Sequence, residues 1–402
     1  REIFRDLRVP LQEAGLREDA QGDDFACIEE LIDPPKSGLE KLMERQQLRT
    51  GWSTLIKGRP VEKAWLYEII SNWRSGIDVD KFDYFRRDAQ YLGIQRQFDH
   101  HRYMKSVRVV LDKEGVPTIS PPDKHKDLLH NMLELRKMLH KSAYQHKTVK
   151  KLECHMTDIL KLMDAHVRIT GVDGSELSMS EAAVLLDPVA YPKLTDTFVE
   201  ARLLVHEDPA LDAAVNEYEK RILLRKLMRC VGEWDLPRLN EAAPFPLPKG
   251  EAVLDGVYAL YRACAAEVEP HEPVREVPLE ELRTQVAKLH YGMGDKDPIT
   301  RVLFHNTKSN ERLGLPSDSD AKPLRHKIFV FWNPPDPSDE VTLKRLTVAF
   351  SRWAEQEVER HETHQRAMQA APEPEPQRLR PKADAPPPRQ KRTLRIQASC
   401  PM

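Results

Sequence analysis

The sequence predicts a mainly α-helical protein with a small α+β lobe near its C-terminus and a disordered basic tail. Apolar residues recur at helical spacing through much of residues 1–233. Three strand-like runs follow a proline-rich linker at 234–249. Residues 371–402 are dominated by proline and basic side chains, a composition that cannot build a core. The expected layout is therefore a helical core at 1–233, a linker at 234–249, an α+β lobe at 250–366 and a tail at 371–402.

The N-terminal segment reads as short helices. One stripe starts at Ile3, Phe4 and Leu7, and Phe25, Ile28, Leu31 and Ile32 form another that Pro34-Pro35 breaks. Pro60 sits where a helix favours its first residue, so Val61–Ile70 reads as helix, closed by Gly76. A further helix runs from Asp80 to about Leu92. Val107–Leu111 and Val116–Ile119 flank a turn and read as a β-hairpin within 107–119. A long basic helical stretch covers Lys124–His166, and helical patterns recur near 180–188, 192–206 and 208–231. Beyond the linker come a helix, strands at Val286–His290, Val302–Phe304 and Ile328–Trp332, and a last helix over 338–366.

Composition narrows the function. The 402 residues carry 62 Lys+Arg against 64 Asp+Glu, a net charge of −2, which excludes a surface that is basic throughout but leaves local basic patches open. A charged fraction of 31% with 40% hydrophobic residues suits a helix-rich globular protein. No apolar run approaches the ~18 residues of a membrane span, so no membrane partner is expected. Cys27, Cys154, Cys230, Cys264 and Cys400 are dispersed without a CxxC pair. No zinc ribbon or disulfide framework is expected, and a reducing compartment, nucleus or cytoplasm, is. The chain opens on Arg1 rather than Met and is expected to be a piece of a longer protein.

Two helical stripes carry the chemistry. Asp80, Tyr84 and Asp88 stand at i, i+4 and i+8 with Lys81 beside them, each step rising about 6 Å. Asp80 suits a metal, Lys81 a phosphate, and Asp88 a sugar hydroxyl. Arg136, His140 and Tyr144 repeat the spacing with Gln145 alongside. Arg136 offers parallel N–H donors to a phosphate, His140 donates to or shuttles a proton for a phosphate oxygen, and Tyr144 supplies a flat ring and a hydroxyl. The same spacing also suits a solvated charged face held by i,i+4 pairs.

Gly76-Ile77-Asp78-Val79-Asp80-Lys81-Phe82-Asp83-Tyr84-Phe85 with Arg87-Asp88, Leu92-Gly93-Ile94-Gln95, Ala143-Tyr144-Gln145-His146-Lys147, Lys193-Leu194-Thr195-Asp196, Val231-Gly232-Glu233 and Tyr291-Gly292-Met293 with Lys296 and Pro298 run in order along the chain. Together they resemble the sterile-alpha-motif and HD-domain deoxynucleoside triphosphate triphosphohydrolase family, over about residues 3–365. The resemblance implies an HD-domain-like helical core and a metal-dependent phosphohydrolase, with zinc, iron, manganese or magnesium as the divalent ion. That enzyme cuts a dNTP into deoxynucleoside and triphosphate, controlling dNTP pools. The resemblance further implies a homo-tetramer linked by GTP and dNTP effectors. It assigns Asp80 to the metal, Lys81 and Arg136 to phosphate, and His140 to the phosphate side as the catalytic histidine. Tyr84, Asp88, Tyr144 and Gln145 fall to sugar and base, with Asp88 at the 3′-hydroxyl and a tyrosine excluding a 2′-hydroxyl. Asp99, Arg102, Lys124, His146, Lys147 and Lys296 match a deoxynucleotide effector pocket, and Arg225 and Arg229 an adjoining guanine-nucleotide pocket.

The chain departs from that pattern. The family's metal site takes a His, a His-Asp pair and a distant Asp, but the first histidine here is His100 and no His-Asp dipeptide occurs. A lone carboxylate does not hold a divalent ion against water, so this chain alone is expected to hydrolyse no dNTP. Pro122 and Ser142 replace arginines, Leu128 an asparagine and Ser106 an aromatic, so effector control is expected to be weakened or altered. The tail has no Ser-Pro or Thr-Pro, and Lys391-Arg392 suits a nuclear signal, a nucleic-acid arm or plain solvated charge. The rival reading is a non-catalytic, nucleotide-dependent oligomerisation module or a single-stranded nucleic-acid binder.

Overall fold

The computed structural model describes residues 15–19, 22–95, 98–205, 208–236, 247–294, 297–308 and 325–370. Ile3, Phe4 and Leu7, the linker residues 237–246, Lys296 and the tail from 371 lie outside them.

Side-chain caps decide where the N-terminal helices begin. Asp23 accepts from the Phe25 and Ala26 amides and starts α1 (Asp24–Ile32). Past the Pro34-Pro35 break, α2 (Lys36–Glu44) and α3 (Leu48–Leu55) follow. Val61–Glu68 winds as a 3₁₀ helix rather than the expected α-helix, with the Lys63 amide bonded to the Pro60 carbonyl. Asp78 caps α4 (Val79–Tyr91), and Gly93 ends it with a φ of 65°, which turns the Ile94 amide back to the Ala89 carbonyl. The short α5 (His100–Ser106) leads to the expected hairpin, β1 (Arg108–Leu111) against β2 (Pro117–Ser120).

The stretch read as one long helix is broken. It consists of a 3₁₀ turn at Asp123–His125, α6 (Lys126–Leu139), a π turn at His140–Tyr144 and α7 (Lys147–Asp164). In the π turn the Gln145 amide reaches back five residues to the His140 carbonyl. His146 then leaves helical conformation and caps α7 through its ring. Next come α8 (Met179–Leu185), opened by a Ser178/Glu181 capping box, α9 (Asp196–Leu204) and α10 (Asp212–Tyr218). The helix expected over 208–231 does not continue. A second π turn ends at Leu223, and Arg225 reverses the chain at a φ of 57°. The following segment becomes β3 (Arg229–Asp235), so Trp234 and Asp235, read as linker, belong to a strand.

β3 pairs antiparallel with β5 (Arg325–Trp332), which pairs antiparallel with β4 (Leu282–Leu289). The Gly232 position lets this sheet meet α12 (Glu340–Ala370), because a Cβ there would lie 2.2 Å from a Phe350 ring atom. Val231, Ile328 and Val330 of the sheet bury against Val253 and Val257 of α11 (Gly250–Cys264) and Leu346 of α12. Val302–Phe304, expected as a strand, is buried without joining a ladder; the next residue, His305, makes a single parallel bridge to Pro122. The described residues through Glu357 belong to one compact unit and those from Val358 onward to a second.

The core that positions the candidate site joins α4 to α6. Phe82, Phe85 and Ala89 pack on Leu129, Leu133 and Leu139, and Tyr291, Ile299 and Phe304 seal the same cluster. Among the described residues no helix is long and apolar enough to cross a membrane.

Candidate functional site

The two stripes meet across the α4–α6 interface. The Tyr144 hydroxyl donates to Asp88 Oδ2, which ties the last residues of the two stripes together. The Tyr84 and Tyr144 rings lie 6.4 Å apart, and His140 sits edge-on to Tyr144 at 4.8 Å. At the other end Arg136 Nη1 donates to the His290 carbonyl. The Tyr84 phenol faces the same guanidinium: burial pushes its pKa up, and Arg136 draws it back. Lys81 reaches the same place. A Cβ on Gly292 would stand 3.6 Å from both Arg136 Nε and Lys81 Cε, so the two cations flank one stretch of backbone.

Three buried polar atoms of this group have no hydrogen-bond partner among the described residues: Arg136 Nε, His140 Nδ1 and Gln145 Oε1. Unsatisfied buried groups are rare because each forfeits its hydration, so three such atoms on neighbouring turns of the second stripe leave hydrogen-bonding capacity that a polar ligand or bound water could take up. Burial, Arg136 and His290 together pull the His140 pKa down to about 4, so at neutral pH its imidazole is uncharged and carries one proton to donate.

Sequence reasoning missed the residues that hold these side chains in place. Asp78 takes the Lys81 ammonium at 3.1 Å on each carboxylate oxygen and also accepts from the Asn72 amide at 3.1 Å. The Asn72 side chain accepts from the Arg74 and Ser75 amides, both at 3.0 Å, and donates to the Ile77 carbonyl at 3.0 Å, which fixes the turn leading into α4. An aspartate one residue ahead of the helix, at its N-cap, was the available signal.

Asp80 is exposed on the rim of a cleft of about 780 Å³ that Lys36, Trp73, Asp78, Lys81 and Met293 also line. The resemblance asks for a divalent metal there. Among the described residues no group of three or more His, Cys, Asp or Glu side chains could hold one. Asp78, the nearest carboxylate in sequence, is already neutralised by Lys81. The residues present do not fit a complete metal site.

The expected effector residues fall into two groups. Asp99, Arg102 and Lys124 are exposed and act electrostatically on buried His125, whose ring meets Ser106 Oγ at 3.2 Å. Lys147 and Arg229 both act on Lys151, while exposed His146 caps α7 beside Lys147. The Arg229 guanidinium is engaged within the chain, donating to the Pro337 carbonyl at 2.6 Å and to Glu340 at 2.7 Å. Arg225 is exposed.

Acid is expected to weaken the fold through two imidazoles. Burial above all holds His140 and His155 near a pKa of about 4, against 6.5 ordinarily, and His155 Nε2 accepts from the Met228 amide. Between those values the unfolded chain binds more protons than the folded one, so stability rises with pH through this window and is flat above it. Urea midpoints should agree at pH 7 and 8 and fall steadily from about pH 6.5 to about 4. Equal midpoints at pH 7 and 5 would contradict a neutral, buried pair.

No protein-family model matches the chain. It is 36% identical over 280 residues to deoxynucleoside triphosphate triphosphohydrolase SAMHD1 of Bos taurus, covering 69% of this chain and 43% of that protein. To the protein of the same name from Xenopus laevis it is 33% identical over 340 residues, covering 82% of this chain and 50% of that one. An HD domain-containing protein of Acanthamoeba polyphaga mimivirus is 30% identical over 185 residues, 45% of this chain and 39% of its own length. The chain spans half or less of the length of these relatives.

Proposed function

Proceeding from a sequence that resembles the dNTP triphosphohydrolases over as much as 82% of its length, we propose that this chain carries the deoxynucleotide-binding part of such a site. One observation supports the reading above all. Two packed helices and the turn after the second carry a carboxylate–phenol pair and a buried guanidinium, and three polar atoms of the second stripe have no partner among the described residues. Lys81 and Arg136 take the phosphates, and the neutral His140 donates to a phosphate oxygen. Asp88 accepts from the 3′-hydroxyl, Tyr84, Tyr144 and Gln145 hold sugar and base, and the tyrosine against the sugar edge disfavours a 2′-hydroxyl.

The residues at hand do not complete a metal site, so the chain by itself binds a dNTP without cleaving it. Asp80 would serve only together with ligands from other residues. By the same kinship, GTP and dNTP effectors linking a tetramer would use Asp99, Arg102, Lys124, His146, Lys147, Arg225, Arg229 and Lys296. Pro122 and Ser142, standing where the family has arginines, supply no guanidinium to an effector's phosphates, so that control is weak here.

Calorimetric titration of the purified chain with dGTP, paired with an assay for released triphosphate in Mg²⁺ or Mn²⁺, tests the reading. Saturable binding, weaker for GTP at this cleft, with no triphosphate is expected. Absence of binding would remove the nucleotide site, and triphosphate release would overturn the inactive assignment.

A further inference from the structure

His290 follows β4 and touches the site twice. Its carbonyl accepts from Arg136 Nη1. Its ring Nδ1 accepts from the Gly292 amide at 2.9 Å and, more weakly, from the Gly294 amide at 3.4 Å. These bonds fold residues 290–294 into a turn that only glycine backbone follows easily, with φ of +113° at Gly292 and +65° at Gly294. The turn is anchored on both sides. The Tyr291 hydroxyl donates to Glu134 on α6, and Met293 packs on Gly76 just ahead of α4, where a Cβ would stand 3.5 Å from Met293 Cγ. Between the anchors, Gly292 lies against Arg136 and Lys81.

We infer that His290 is a positioning residue of the nucleotide site: its carbonyl orients Arg136, and its ring folds the Gly292–Gly294 turn onto the two phosphate-binding cations. The inference rests on reading the cleft as a nucleotide site. It explains why the guanidinium, with one nitrogen tied back to main chain, keeps Nε free. A ring nitrogen that accepts two N–H groups carries no proton, so the role requires the uncharged imidazole. The surroundings favour that form. Burial, then Arg136, Lys288 and His326, all lower the His290 pKa, and His140 is a further imidazole under its influence. Protonation would remove both acceptor contacts and free the turn.

Two substitutions isolate the ring, since the carbonyl remains in both. His290→Leu deletes the acceptor, whereas the His290→Asn side-chain oxygen can still take the Gly292 amide in an Asx turn. In the nucleotide-free chain, the Gly292 and Gly294 amides should exchange with deuterium about tenfold faster in His290→Leu and close to the wild-type rate in His290→Asn. Affinity for dGTP should fall about tenfold in the leucine variant and recover in the asparagine variant. Unchanged exchange in His290→Leu overturns the inference. So does altered exchange with unchanged dGTP affinity, and in that case the nucleotide site stands. A wild-type chain that binds no dGTP defeats the nucleotide reading itself and the positioning role with it.

Discussion

Arg136→Ala is expected to weaken dGTP binding at least about a hundredfold, since two charge-assisted hydrogen bonds to phosphate contribute about 1.5–3 kcal/mol each. The guanidinium is only 7% exposed and is held on one side by the His290 carbonyl, so its remaining donors would meet a phosphate already oriented. Arg136→Lys should not rescue, because an ammonium is a point charge without the planar pair of donors. Stability should move little, or even rise. Burial lowers the Arg136 pKa, a sign that the folded protein bears a cost for this cation. Calorimetric titration beside a urea melt separates the outcomes. A variant that keeps wild-type affinity takes Arg136 out of the site, and a variant that fails to fold gives it a structural role instead.

That convergence was only partly legible in the chain. The α4 stripe read correctly because a 13-residue helix with Phe82, Phe85 and Ala89 inward shows its period locally. The second stripe differs in geometry from the continuous helix expected. His140–Tyr144 winds as a π turn, and no proline or glycine there announces it. The wider turn changes how Tyr144 and Gln145 are presented relative to an α-helical continuation. β3 read partly as helix and partly as linker because its partner, β5, lies nearly a hundred residues downstream, and strand pairing at that distance leaves little local trace. The meeting of Lys81 with Arg136 is likewise non-local; periodicity places each on its own helix and is silent about the other. The resemblance supplied that link, but it did not mark His290, whose part depends on a turn folding back onto α6.

Glu68→Ala is expected to cost about 3–5 kcal/mol, the usual penalty for removing one partner of a buried ion pair. Glu68 is 2% exposed. Its carboxylate accepts from Arg74 Nε at 2.9 Å, from Thr118 Oγ1 at 2.8 Å and from the Ile119 amide at 2.9 Å. One side chain therefore ties the 3₁₀ helix to β2 and to the turn carrying Asn72. Without it, Thr118 and Ile119 keep buried donors with no acceptor, and Arg74 keeps only its 3.3 Å contact to Asp112 among its carboxylate partners. The consequence should reach the site, because Asn72 anchors Asp78 and Asp78 holds Lys81, so dGTP affinity should fall in whatever fraction stays folded. Glu68→Gln preserves the shape and one acceptor and should lose about half as much stability. The exposed Arg49–Glu62 pair gives the contrast: 45% and 62% exposed, its removal should cost at most about 1 kcal/mol. Urea denaturation of the three variants ranks them directly. If Glu68→Ala melts with the Glu62→Ala control, the buried network is not what fixes the approach to α4, and the geometry of Lys81 must come from packing alone.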